Sequence, residues 1–184
     1  MEFLTRAHLS AEVTELELAN QRIAYEAACE GMVLLKNDGA LPFATKRVAL
    51  YGAGAKRTIK GGTGSGEVNE RHSVSILEGM EDRGFEILSR GWIDDYEDFY
   101  EKAHAAYQEE KKKRINLLNI TAINDMLWDN FRIPAGPEIT GVLDTDSCVY
   151  VLSRQAGEGG DRKLEPGDYC LTDGEKAQDR KSVV

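Results

Sequence analysis

The sequence predicts an α/β fold: a partial α/β sandwich with a mostly parallel sheet flanked by helices, incomplete at its C-terminus. Three observations carry that prediction. The runs 47–52 and 85–88 read as strands on either side of a helix, a strand–helix–strand succession of about forty residues. A third apolar run, Cys148 to Leu152, opens into a glycine-rich loop. Thr172-Asp173-Gly174-Glu175 then has capping-box spacing and announces a helix with few residues left to build it. A parallel sheet of about three strands keeps open edges, which α/β architecture avoids, so the chain reads as part of a domain.

The elements follow in order. Thr14 and Glu17 have capping-box spacing and start a helix whose stripe is Leu16, Ala19, Ile23 and Ala27, with Ala24 and Ala28 beside it. Gly31 ends that helix, Met32 to Leu35 reads as a short strand, and Asn37-Asp38-Gly39 is a turn. Arg47 to Gly52 is the next strand. The stretch from Ala53 to His72 is longer and richer in glycine than a structural turn needs. Ser73 caps a helix through Met80, closed by Arg83-Gly84, and Phe85 to Leu88 is a strand. From Asp94 to about Asn130 the spacing of Tyr96, Phe99, Tyr100, Ala103 and Tyr107 predicts one or two helices. Glu109 to Arg114 is a solvated helical face, and Ile133-Pro134-Ala135-Gly136-Pro137 breaks the pattern.

Composition narrows the function. A hydrophobic fraction of 41% with 30% charged residues describes a water-soluble globular chain. A net charge of -9 disfavours nucleic acid and anionic membranes as partners, and is compatible with a neutral sugar. Cys29, Cys148 and Cys170 lack CxxC spacing, and Cys29 and Cys148 read as buried thiols. His8, His72 and His104 are scattered, so neither a metal site nor a cofactor is expected. No run has a transmembrane span's length, and residues 1–10 lack a signal-like apolar core, which makes the cytoplasm the default compartment.

Two glycine-rich segments stand out. One is Lys60-Gly61-Gly62-Thr63-Gly64-Ser65-Gly66-Glu67. The other follows Cys148 to Leu152 and sets Glu158 among Gly157, Gly159 and Gly160. Glycine lets backbone approach a ligand closely, so the carboxylate can be presented at a loop tip. A dinucleotide or phosphate site fails the motif test. Arg57 stands where Gly52-Ala53-Gly54 needs a third glycine, and Glu67 stands both there for Gly62-Thr63-Gly64 and at the Walker lysine after Gly61 and Gly66.

These two segments and Glu30-Gly31-Met32-Val33-Leu34-Leu35-Lys36-Asn37-Asp38-Gly39-Ala40-Leu41-Pro42 together resemble the C-terminal α/β-sandwich domain of family 3 glycoside hydrolases, the β-glucosidase type. All three motifs occur in the family's order, and the resemblance covers residues 18–178 of a chain read as a single partial domain over 1–184. The resemblance implies that Glu158 is the general acid/base and that Ser65, with Thr63 as its near neighbour, contacts the sugar of an oligosaccharide or β-glycoside. Asp161 and Arg162 would brace the loop by pairing. The family's nucleophilic aspartate belongs to a (β/α)-barrel domain that this chain does not contain, so the isolated chain is expected to be inactive. Met1 stands just before the opening helix, which fits a sandwich-first variant or a shortened piece equally well.

A non-catalytic carbohydrate-binding or assembly module is the alternative, since it keeps the sugar-facing loops without needing a nucleophile. Under either reading, open strand edges predict self-association.

Overall fold

The computed structural model describes residues 11–62, 71–114, 131–141, 143–157 and 162–182, with 179–182 described by backbone alone. Contacts divide the chain into one unit up to Pro42 and a second from Phe43.

The first unit is built on helix α1, Glu15–Gly31. Its capping box forms as the spacing predicts: Thr14 Oγ1 accepts from Glu17 N–H at 3.2 Å, and Glu17 Oε2 accepts from Thr14 N–H at 2.8 Å. None of the helix residues is buried, and Cys29 is exposed rather than buried. Met32 to Leu35 does not form the expected strand. Its residues are exposed and pair with no strand among the described residues, and an extended segment without a ladder partner remains irregular. The Asn37 turn does form: its side-chain oxygen accepts from Gly39 and Leu41 N–H, with Gly39 at φ +98°.

The second unit holds a three-stranded parallel sheet in the order β2-β1-β3. Strand β1 is Arg47–Tyr51, β2 is Glu86–Ile87 and β3 is Cys148–Tyr150. Val48 pairs with Ile87, and Leu50 pairs with Val149. Val48 to Tyr51 are each no more than 5% exposed, because the central strand is covered on both faces. On one face Leu50 packs with Ala55, Leu77 and Ile93; on the other, Ala49 and Tyr51 pack with Ile139. Full burial explains why β1 reads as an unbroken apolar run, with no alternation.

Helix α2, Ile76–Asp82, is capped by Ser75, whose hydroxyl accepts from Glu78 N–H at 3.1 Å. The expected cap was Ser73; Ser75 takes the role because it stands three residues before Glu78, the reach of a cap hydroxyl. Gly84, at φ +77°, ends the helix as predicted, donating to Glu81 O. Helix α3, Arg90–Arg114, begins four residues earlier than expected. Its continuation toward Asn130 lies outside the described residues. Tyr51, Trp92, Tyr96 and Tyr100 form successive ring contacts that weld α3 to β1.

The last helix, α4 (Asp173–Ser182), is held by Gln178. That side chain accepts from Tyr150 Oη at 2.5 Å and donates to Gly136 O and Pro137 O. Trp92 and Tyr96 donate to Pro137 O and Pro134 O, so the proline-glycine break is pinned between α3 and α4. Gly136, at φ +92°, cannot carry a Cβ, which would lie 2.4 Å from the Tyr96 ring.

Ser89 completes the ladder where β2 stops. Its hydroxyl accepts from Leu50 N–H at 2.7 Å and donates to Leu50 O at 2.6 Å, while Leu88 N–H donates to Val48 O. Replacing Ser89 by alanine leaves both backbone groups of a buried residue unpaired. Urea unfolding of Ser89→Ala should show a loss of about 2–3 kcal/mol; a loss below about 0.5 kcal/mol would mean that other groups replace the hydroxyl.

Candidate active site

Both glycine-rich loops leave the C-terminal ends of adjacent parallel strands, the end of an α/β sheet where ligands gather. The backbones leaving β1 and β3 approach so closely that side chains are excluded. A Cβ on Gly52, at φ +95°, would lie 2.3 Å from Val151 O, and one on Gly54 would lie 2.7 Å from Val151 Cγ1. Gly54 N–H donates to Val151 O at 3.2 Å. Thr58 fixes the first loop further by donating to Gly54 O and accepting from Ile76 N–H at the start of α2.

Farther out the two loops meet again. Gln155 Nε2 donates to Gly61 O at 3.3 Å, and a Cβ on Gly62 would lie 2.7 Å from Ala156 O. Thus Gly61-Gly62, which lead to Thr63 and Ser65, lie against Gln155-Ala156, which lead to Glu158. Thr63, Ser65, Glu158 and Asp161 themselves lie outside the described residues. Arg162 is described: its Nη1 reaches Asp168 Oδ1 at 3.4 Å.

The arms of the second loop carry residues that sequence reasoning missed. Arg154 Nη1 and Nη2 donate to the two carboxylate oxygens of Glu175 at 2.6 and 2.7 Å. Its Nε donates to Asp168 O at 2.8 Å, and Asp168 Oδ2 accepts from Lys163 N–H at 2.9 Å. The capping-box spacing of Thr172 and Glu175 was visible, and the box forms. Nothing local announced that Glu175 also receives an arginine 21 residues away.

Burial by itself pushes the Glu175 carboxyl up. Hydrogen bonds from Arg154 and from the Thr172 N–H and hydroxyl outweigh it and hold the carboxyl below the ordinary carboxylate value. A cavity of about 260 Å³, lined by Gly136, Glu138, Gly174, Ala177 and Gln178, opens beside α4. Among the described residues no group of three His, Cys, Asp or Glu side chains is placed to hold a metal ion.

A family model, the glycosyl hydrolase family 3 C-terminal domain, matches residues 32–180. The chain belongs to this family. Beta-glucosidase A of Butyrivibrio fibrisolvens is 34% identical over 147 residues, 77% of this chain and 16% of its own length. A beta-glucosidase of Ruminococcus albus is 30% identical over 162 residues, 86% of this chain and again 16% of its own. The chain therefore spans about a sixth of these curated relatives. Among solved structures, beta-glucosidase 3B of Thermotoga neapolitana in complex with glucose superposes with a TM-score of 0.57 at 34% identity. That match covers 92% of this chain and 22% of the other. The same enzyme in complex with α-D-glucose gives a TM-score of 0.56 at 33% identity. The partial α/β fold is thus that of a family 3 C-terminal domain.

Because the folded-state pKa of Glu175 is lowered, its contribution to stability is full above the unfolded value of about 4.3 and is lost as pH falls through the lower folded value. Glu175→Gln should cost about 2 kcal/mol at neutral pH, less than the ~3–5 kcal/mol of a fully buried pair because Arg154 keeps partial solvent access. The variant should also flatten the acid limb of stability below about pH 4.3, as read by urea midpoints across pH. An unchanged acid limb would assign that limb to other carboxylates.

Proposed function

We propose that this chain supplies the acid/base loop of a retaining β-glycosidase of the β-glucosidase type, one that hydrolyses terminal β-glycosidic bonds of oligosaccharides. The observation that supports this most is the meeting of Gly61-Gly62 with Gln155-Ala156, which brings the stems of the two motif loops to one end of the sheet. Glu158 is the general acid/base, and Ser65, with Thr63 beside it, contacts the sugar. Arg162 steadies the outgoing arm through Asp168, with Asp161 as a second brace. The nucleophile comes from a barrel domain outside this chain.

The chemistry follows from having two carboxyl groups about 5–5.5 Å apart across the bond. Protonated Glu158 donates to the glycosidic oxygen as the leaving group departs. As a carboxylate it then removes a proton from the water that releases the sugar from the nucleophile. Burial under a bound sugar, or the nearby nucleophile's charge, would raise its pKa enough to keep the proton at neutral pH.

A cytoplasmic location belongs to the same proposal. It is supported by an odd number of cysteines whose spacing indicates no disulfide framework. Self-association through the outer edges of β2 and β3 belongs to it as well. Light scattering at high concentration should report a mass above the monomer's, and a monomer would remove that part.

The decisive assay is hydrolysis of an aryl β-glucoside. The isolated chain should show no turnover above buffer. Joined to a family 3 barrel it should turn over, and Glu158→Gln should lower kcat about 100- to 10,000-fold. Turnover by the isolated chain, or an unaltered kcat in the variant, would overturn the assignment. Glycoside binding without hydrolysis in the joined protein would favour a carbohydrate-binding module.

A further inference from the structure

We propose that Arg154, Glu175 and Asp168 are positioning residues that set the two arms of the Glu158 loop. Arg154 stands on the incoming arm, and both guanidinium Nη atoms are engaged by Glu175, whose side chain is only 5% exposed. Its Nε reaches Asp168 O, and the Nη groups also reach Ser153 O and Cys170 O. On the outgoing arm the Asp168 carboxylate accepts from Lys163 N–H and from Arg162, which also reaches the Asp168 carbonyl at 3.4 Å. Asp168 is therefore the point where both arms are tied: its carbonyl accepts from Arg154 and Arg162, and its carboxylate from the outgoing arm. Its backbone is fixed in turn by the tight turn over Glu165 to Cys170, where Cys170 N–H donates to Glu165 O and Gly167 N–H to Cys170 O.

The fork geometry of arginine is essential. A lysine keeps the charge but cannot reproduce the planar fork by which Arg154 reaches both Glu175 oxygens and the Ser153, Asp168 and Cys170 carbonyls together. Glu175 is anchored by its own capping box on Thr172, so the reference point for the loop is the N-terminus of α4. The inference rests on Glu158 being the acid/base, since a displaced proton donor costs rate more than binding.

The test compares Arg154→Lys and Asp168→Asn with the parent chain in two readouts. Hydrogen exchange on this chain should be about tenfold faster across 157–163, with β1 amides unchanged. In the chain joined to a family 3 barrel, kcat for an aryl β-glucoside should fall about 100-fold with KM within about twofold. Unchanged loop exchange in both variants would overturn the proposal, as would faster exchange with unaltered kcat. If Arg154→Lys also speeds β1 exchange, global destabilisation is the cause and Asp168→Asn decides. If the parent joined protein shows no turnover, the glycosidase reading fails by itself, and loop exchange alone judges the tie.

Discussion

The close approach of the backbones leaving β1 and β3 is the constraint on which the rest of the second unit depends. Parallel pairing of Ala49 to Tyr51 with Cys148 to Tyr150 delivers both strands to the same end of the sheet. There Gly52 and Gly54 lie against Val151 with no room for a side chain. Any larger residue would force the strands apart or rotate one exit away from the other. The stems of both motif loops start from this junction, so the relative placement of the stems is inherited from strand pairing.

A strand in that position must be buried on both faces, and β1 is. Leu50 anchors the face shared with α2 and α3, and Tyr51 the face shared with Ile139. Burial of such side chains contributes about 1.5–3 kcal/mol each, and only if their backbone groups are paired. Ser89 meets that condition at Leu50, where the short strand β2 no longer can. The aromatic series from Tyr51 through Trp92 to Tyr96 then makes the orientation of α3 a consequence of β1.

The stem of each loop is tied to a helix. The stem of the first loop is tied by Thr58 to the start of α2, and the stem of the second by Arg154 to the start of α4. Each loop is therefore referenced to a helix N-terminus beside the sheet rather than to the strand alone. A proton donor has to be held within a fraction of an ångström of its acceptor to be effective, and under the proposed function ties of this kind would serve that end.

The sequence by itself determined most of what is decided by partners within one turn. Both capping boxes, at Thr14 and Thr172, form as read, because their partners stand three residues apart. Gly84 ends α2, and the apolar runs at Val48 and Val149 become neighbouring strands. It misplaced the cap of α2 by two residues, at Ser73 where Ser75 caps the helix. It also made a strand of Met32 to Leu35, because β propensity does not reveal whether a partner strand exists. The family, too, was legible from three short motifs in order.

Only the tertiary structure decided what meets what. Gln155 and Gly61 are 94 residues apart, Ser89 and Leu50 are 39 apart, and Arg154 reaches Glu175 across 21 and Asp168 across 14. No periodicity or spacing encodes such pairs. Each exists because the parallel sheet carries distant segments to a common end, where buried charges and backbone groups must find partners.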